Sequence, residues 1–108
     1  MFTRTDDFNA ANDSSLQAYV KVSPTTLIGR FGEPDESDGY KVSMEWLFEG
    51  EDGNVVTLYD WKSTHLYDPC LPPADILRVS PLIHEFHVGS HNYETASNFV
   101  EWLLKEVG

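Results

Sequence analysis

The chain has 108 residues, of which 18 are acidic and seven are basic, giving a formal net charge of −11. One core is normal at this length, and two would each be too small. So few Lys and Arg side chains disfavour nucleic acids and anionic membranes as partners, because both are bound largely through their phosphates. The apolar fraction of 41% suffices for a folded core, and no apolar run is long enough to span a bilayer.

The single cysteine, Cys70, excludes an internal disulfide and suits a reducing compartment. We therefore expect a protein of the cytoplasm. Residues 1–14 are polar and lack the apolar stretch of a secretory signal. We expect them to form a flexible N-terminus ahead of a single domain over residues 15–108.

The first predicted elements are a strand and a short helix. Alternating side chains over Leu16–Val22 predict the strand. Ser23 is a favoured N-cap, and the proline after it fits the first helical turn. An apolar stripe followed by Gly32 and Pro34 limits the helix to Pro24–Phe31. Residues 33–39 are predicted to be a turn-rich acidic loop.

A β-hairpin follows. Period-two alternation over Tyr40–Glu49 predicts a strand, Gly50–Gly53 a hairpin loop, and Asn54–Lys62 the antiparallel partner. The apolar face of the first strand consists of Tyr40, Val42, Met44, Trp46 and Phe48. The inward face of the second strand stays open, because both of its alternating sets contain apolar residues, and a bulge would reconcile them.

The remaining chain is a long loop, a strand and a helix. Ser63–Leu82 is interrupted by prolines and predicted to be a functional loop or lid, with one helical turn at Ala74–Val79. Ile83–Val88 is predicted to be a strand, and a final helix is capped by Ser90 or Asn92. The order β-α-β-β-β-α predicts an α+β fold, a two-layer domain with a mostly antiparallel sheet and helices on one face.

The first candidate site is a predicted turn, Gly89-Ser90-His91-Asn92, between a strand and a helix. Backbone N–H groups and the positive end of the helix dipole would gather there and bind an anion, although an ordinary N-cap explains the same residues. Trp61 would add a stacking surface, Lys62 a positive charge and His87 a hydrogen-bond donor. This requires that Lys62 and the predicted turn lie at the same end of the sheet. The residues predicted to bind a nucleotide are Trp61, Lys62, His87, Gly89, Ser90, His91 and Asn92.

The second candidate is an acidic surface between residues 33 and 52, interrupted only by Lys41. Such a surface would imitate nucleic-acid phosphates and bind a basic protein, although a solvated loop explains it equally well. The residues assigned to this alternative are Glu33, Asp35, Glu36, Asp38, Glu45 and Glu49.

Neither a metal nor a catalytic site is predicted. Alternation places His84 and His87 on opposite strand faces, and His87 with His91 gives too few ligands for a structural zinc. Cys70 lies between prolines without an obvious base, and the glycine-rich motifs of nucleotide-binding folds and hydrolases are missing. We therefore expect a non-enzymatic binding protein without a cofactor.

Four blocks, in their order and spacing, resemble a family of small uncharacterised bacteriophage proteins. They read FGEP from residue 31, DGYKVxxEW from 38, DGNVVTLYDWK from 52 and FHVG from 86, and the resemblance spans roughly residues 16–106. In that family the last block usually reads Trp-His-Ile-Gly-Gly, so Phe86 stands for the Trp and Ser90 for the second Gly. The loop at Ser63–Leu82 is also longer than usual there.

The resemblance implies a small accessory protein made in the cytoplasm of an infected bacterium. A role in counter-defence follows by association only. The favoured hypothesis is sequestration of a nucleotide immune signal, with a possible homo-oligomer in which two chains build the site jointly. The alternative is an acidic inhibitor of a basic host protein, such as an anti-CRISPR protein or a DNA mimic.

Overall fold

A computed structural model of the protein describes residues 1–35 and 41–108. Within these residues, five strands form one antiparallel sheet in the order β1-β3-β4-β5-β2. The strands are β1 (Phe2–Arg4), β2 (Ser15–Val22), β3 (Glu45–Gly50), β4 (Val55–Tyr59) and β5 (His84–Ser90). The helices are α1 (Pro24–Phe31), α2 (Ala74–Arg78) and α3 (Tyr93–Val107). The predicted α+β class is confirmed.

The core lies between the sheet and α3. Register places Trp46 opposite Leu58 and Leu58 opposite Val88, so the three side chains form a row across β3, β4 and β5. Phe99 and Leu103 of α3 cover this sheet face and are fully buried. Burial of one large apolar side chain stabilises the fold by about 1.5–3 kcal/mol. The sheet face under α3 therefore forms the main hydrophobic core.

Helix α1 has the predicted bounds, and its ends show why. The Ser23 side chain accepts a hydrogen bond from the Thr26 amide at 3.2 Å, and Pro24 takes the first helical position. Gly32, with φ of +89°, ends the helix in a conformation that glycine adopts readily. The Trp46 indole donates a hydrogen bond of 3.0 Å to the Gly32 carbonyl and so ties the helix end to β3.

The N-terminus is part of the sheet, which corrects the expectation of a flexible segment over residues 1–14. Strand β1 pairs with β3, and the Phe2 ring meets Phe99 edge-on at 5.2 Å. Arg4 donates to the Phe31 carbonyl at 2.8 Å and forms an ion pair with Asp35 at 3.3 Å. Alternation over three residues is too short for a strand to be recognised from the sequence. The structure of this segment depends on these long-range contacts.

The connection from β1 to β2 crosses the sheet face opposite α3. Its 3-10 turn, Phe8–Ala11, packs against β4. Leu47, Val55 and Thr57 point to this face and are buried. Both faces of β4 are therefore covered along most of its length, which explains its ambiguous alternation. The register with β3 is continuous, so the bulge considered for β4 is not needed.

Strand β3 begins at Glu45, later than predicted, and Tyr40 lies outside the described residues. The amide groups of Ser43 and Met44 donate hydrogen bonds to the Asp60 carboxylate, at 2.7 and 2.8 Å. They bond to a side chain instead of a neighbouring strand, so the extended ladder starts only after Met44. Val42 and Met44 are nevertheless buried as predicted.

Strand β5 ends at Ser90, beyond the predicted end at Val88. Gly89 pairs with Leu16 on one side and Thr57 on the other. A Cβ atom at position 89 would lie 2.6 Å from the Thr57 hydroxyl oxygen, so this position between β2 and β4 requires glycine. Helix α3 is capped by Asn92, whose side chain accepts a hydrogen bond from the Thr95 amide at 2.8 Å.

Replacing Trp46 with alanine tests the buried face. Trp46 is fully buried, so we expect Trp46→Ala to lower the free energy of unfolding by about 3–5 kcal/mol, measured by chemical denaturation. Trp61→Ala is the matched control, because the Trp61 side chain is 38% exposed and its loss should be much smaller. A Trp46→Ala protein with an unchanged midpoint would contradict this assignment of the strand face.

Candidate ligand-binding site

Four rings lie together on the sheet face opposite α3, and we call them the aromatic row: Tyr19, His87, Tyr59 and Trp61. Register places Tyr19 and Tyr59 on either side of His87, with centroid distances of 4.9 and 5.6 Å to its ring. Trp61 follows β4 and stacks against His87 at 6.3 Å with an interplanar angle of 27°. Tyr19 is 53% and Trp61 38% exposed, so a ligand can reach both ends of the row.

Two lysines lie beside the same indole ring. The Lys41 ammonium is 5.6 Å and the Lys62 ammonium 5.5 Å from the Trp61 ring centroid. Lys62 also lies 5.0 Å from the ring of Tyr67, which belongs to the loop after β4. These distances are in the range of cation–π attraction. A backbone hydrogen bond of 2.6 Å, from the Lys62 amide to the Lys41 carbonyl, joins the two segments.

Lys62 has an unusual backbone conformation. Its φ of +52° lies in the left-handed region, which residues with a Cβ atom adopt rarely. Such a conformation costs on the order of 1 kcal/mol and persists only where surrounding contacts determine it. Here the contacts are the bond to the Lys41 carbonyl and the two rings beside the ammonium group. The fold therefore holds Lys62 against Trp61 at an energetic cost.

The charges around the aromatic row differ from those elsewhere. Among the described residues, four basic side chains are in ion pairs, which are Arg4 with Asp35, Arg30 with Glu106, Arg78 with Glu33 and Lys105 with Glu101. Among residues 1–35 and 41–108, Lys41 and Lys62 have no carboxylate at ion-pair distance. Two acids of this face, Glu45 and Glu85, lie opposite Tyr59 and Lys21 in register. Within the described residues, positive charge without an ion pair therefore collects beside Trp61.

Asp60 fixes the position of these lysines. Its side chain is fully buried and accepts hydrogen bonds from the Ser43 amide, the Ser43 hydroxyl and the Met44 amide. Its own amide donates to the Met44 carbonyl at 3.2 Å. A buried carboxylate is tolerated when donors satisfy it, as they do here. These bonds hold the chain at 41–44 beside the end of β4.

Burial shifts the pKa values of two members of the aromatic row, His87 and Tyr59. It lowers the pKa of His87, and the neighbouring His84 acts in the same direction while Glu85 and Asp60 oppose it. The neutral imidazole offers one donor and one acceptor at pH 7. Burial raises the pKa of Tyr59, helped by the negative charge of Glu45, so its hydroxyl stays protonated. The row thus presents neutral polar edges next to the two cations.

The residues predicted to bind a nucleotide fall into two groups that lie apart in the structure. Trp61, Lys62 and His87 lie together, as the nucleotide hypothesis requires. Register places Tyr59 opposite His87 but Val56 opposite Ser90. The Gly89–Asn92 segment is therefore near the start of β4, and Trp61 and Lys62 are at its end, so the two segments do not share one end of the sheet.

The interpretation of Gly89–Asn92 as a four-residue turn is wrong, because Gly89 and Ser90 continue β5. Ser90 is fully buried and its hydroxyl donates to the Asn92 carbonyl. The Asn92 side chain caps α3, and a ring nitrogen of His91 lies 2.8 Å from the Ala10 carbonyl. The side chains of Ser90, His91 and Asn92 thus bond within the protein. Substituting Gly89 would disturb packing against Thr57 and cannot test an anion site.

Arginines engage two of the acidic residues assigned to the alternative hypothesis. Arg4 binds Asp35 at 3.3 Å, and Arg78 lies 3.9 Å from Glu33. Glu49 is exposed, and Glu45 is half-buried opposite Tyr59. The remaining two, Glu36 and Asp38, lie outside the described residues.

Sequence reasoning missed Tyr19, Lys41, Tyr59 and Asp60 as contributors to the site. A usable signal existed for the two tyrosines, because each occupies the non-core position of its strand, next to a core residue such as Val20 or Leu58. Lys41 and Asp60 carried no such signal, since their roles depend on hydrogen bonds between segments far apart in sequence.

Comparison of the sequence with protein-family models and with curated proteins finds no match. Among the described residues, no three His, Cys, Asp or Glu side chains come together in an arrangement that would hold a metal ion. None of the helices in this part of the chain is both long and apolar enough to cross a membrane. The geometry of the aromatic row is thus the basis for a functional assignment.

Asp60→Ala tests the anchoring carboxylate. It leaves the buried amides of Ser43 and Met44 without a partner, and each such group costs about 1–3 kcal/mol, so unfolding should become easier by about 2–6 kcal/mol in denaturant titrations. The control Asp6→Ala removes an exposed carboxylate and should change stability by no more than about 0.5 kcal/mol. Equal stability of the two variants would contradict the role of Asp60.

Two half-buried histidines, His84 and His87, predict a dependence of stability on pH. Burial lowers the pKa of both His84 and His87, so the folded protein binds fewer protons than the unfolded chain. The free energy of unfolding should then fall as the pH drops below about 6.5, the ordinary pKa of histidine. His84→Phe and His87→Phe should each reduce this fall, with denaturation at about pH 8 as the reference. Wild-type stability that is flat across this range would refute the prediction.

Proposed function

We propose that the protein binds a nucleotide at the aromatic row and does not turn it over. One observation carries the proposal: two lysine ammonium groups lie beside the same partly exposed indole, with no carboxylate at ion-pair distance within the described residues. A planar ring next to concentrated positive charge matches the two chemical parts of a nucleotide, its base and its phosphate.

The base has two exposed rings on which to stack. Trp61 and Tyr19 both contact His87, so they are held in fixed positions relative to each other. Stacking of a base on an aromatic side chain contributes about 1–3 kcal/mol and tolerates any base, because every base has a π-face. The neutral His87 imidazole supplies a hydrogen-bonding edge between the two rings.

The phosphate is held by Lys41 and Lys62. In a chain with a net charge of −11, long-range electrostatics repel an anion, so binding depends on local charge. A phosphate would compensate two cations that the described part of the fold leaves without ion pairs. It would also account for the strained conformation of Lys62, since strain of this kind collects at ligand sites.

Binding without turnover is what sequestration of a signal requires. Asp60, the buried carboxylate next to Trp61, is occupied by three donors and is poorly placed to act as a base. The biological role, sequestering a nucleotide immune signal as a phage counter-defence protein, rests on the resemblance to phage proteins. The acidic inhibitor has less support, because arginines engage Glu33 and Asp35.

The proposal is tested by calorimetric titration with mono-, di- and cyclic nucleotides. Glycine adopts the left-handed conformation of residue 62 without strain, so Lys62→Gly removes the ammonium group and keeps the fold. We expect about 10- to 100-fold weaker binding, since a hydrogen bond to a charged group contributes about 1.5–3 kcal/mol. The control Lys105→Gln changes an exposed lysine of α3 and should bind like the wild type.

Tryptophan fluorescence gives an independent readout of the same site. Trp46 is fully buried and Trp102 half-buried, so a stacking base should quench mainly Trp61. Quenching should persist in Trp102→Phe and disappear in Trp61→Phe. Absence of binding for every nucleotide in the panel, or equal binding by Lys62→Gly and wild type, would refute the proposal.

A further inference from the structure

Strand β2 forms one edge of the sheet. It pairs with β5 on one side and is last in the order β1-β3-β4-β5-β2 of the described residues. A register shift between Leu16 and Ala18 interrupts its pairing with β5, so the regular edge covers residues 18–22 and extends over about 17 Å. Along this edge, backbone N–H and C=O groups face outward. An edge of this length is a template for pairing with another extended strand.

An apolar groove runs alongside this edge. Helix α3 packs against β2, and the space between them has a volume of about 590 Å³. Its lining is mostly apolar or uncharged but includes one acid, Glu101: Gln17, Ala18, Tyr19, Tyr93, Ser97, Val100, Glu101 and Leu104. Tyr93 is 65% and Leu104 48% exposed, which is high for such large side chains. A partner at this edge would therefore cover both backbone and apolar surface.

The charge pattern marks this edge as the place where two acidic chains can meet. The chain has 18 acidic residues, yet none lies between Asp13 and Glu33, a stretch that contains all of β2 and α1. Two copies that each carry a net charge of −11 repel least where the facing segments carry little uncompensated negative charge. The acid that lines the groove, Glu101, forms an ion pair with Lys105 of the same helix at 3.3 Å. Lys21 is the charged side chain of β2 itself.

We infer that β2 pairs antiparallel with β2 of a second copy of this chain. A two-fold axis normal to the sheet would make one continuous sheet, with both α3 helices on one side near the axis. The contact is self-complementary: each copy presents an edge strand and an apolar groove and needs both covered. A short extended peptide would cover the edge strand and leave the exposed side chains of α3 uncovered.

The arrangement has a consequence for the aromatic row. Tyr19 lies on β2, so the rows of the two copies would continue into each other across the interface on the face opposite α3. Dimerisation itself does not depend on the proposed nucleotide binding. It is therefore tested without any nucleotide, and its failure would leave that proposal standing.

Sedimentation equilibrium of the full chain measures the association directly. We expect a species of twice the 12.3 kDa chain mass. Its dissociation constant should fall as salt is added, because screening weakens the repulsion between two acidic chains. Hydrogen exchange should show the outward amides of β2 protected at high protein concentration and exchanging on dilution.

Leu104→Glu and Tyr93→Glu each place a new negative charge in the groove of both copies and should weaken the dimer at least tenfold. Both positions are exposed, so the monomer should fold normally, as circular dichroism would verify. The matched control Ile76→Glu makes the same kind of change at an exposed position of α2 and should leave the dimer intact. A monomeric wild type would overturn the inference and leave the edge to an extended segment of another protein. A dimer that Leu104→Glu and Tyr93→Glu leave intact would overturn it as well.

Discussion

The carboxylate of Asp60 is buried at the end of β4 and accepts hydrogen bonds from Ser43 and Met44, whose segment precedes β3. It takes the place of strand pairing over 41–44 and fixes that segment beside the end of β4. The backbone bond between Lys41 and Lys62 lies in the same region, and both lysines reach Trp61 from it. A single buried acid thus determines the start of the central hairpin and the position of the positive charge.

The two faces of the sheet differ in composition and burial. The face under α3 is apolar, and its side chains form the buried core of the domain. The opposite face is covered by the N-terminal segment near the start of β4 and carries the aromatic row towards its end. Because the rings stand on adjacent strands in register, their spacing is set by the sheet and not by a flexible loop. A rigid platform of this kind can bind a planar ligand with little loss of conformational entropy.

Local signals predicted the local structure well. Ser23, a following proline and Gly32 gave the bounds of α1, and alternation with a glycine-rich loop gave the hairpin. The errors lie where contacts with distant segments determine the structure. Strand β1 was missed because it has only three residues, and β5 extends through Gly89, beyond its predicted end, because two strands pair with it there. Of the predicted site, Trp61, Lys62 and His87 come together. The grouping with Tyr19 depends on strand order, which no local pattern encodes.

Chemical-shift mapping by NMR tests the central claim, that the ligand surface is the aromatic row. During titration with a nucleotide, we expect shifts of the Trp61 indole N–H and of the amides of Lys62 and His87. The amides of Asn92 and Thr95, at the start of α3, should stay in place, because the Asn92 side chain already caps that helix. Shifts confined to the start of α3, or shifts of Glu33 and Asp35 without those of Trp61, would contradict it.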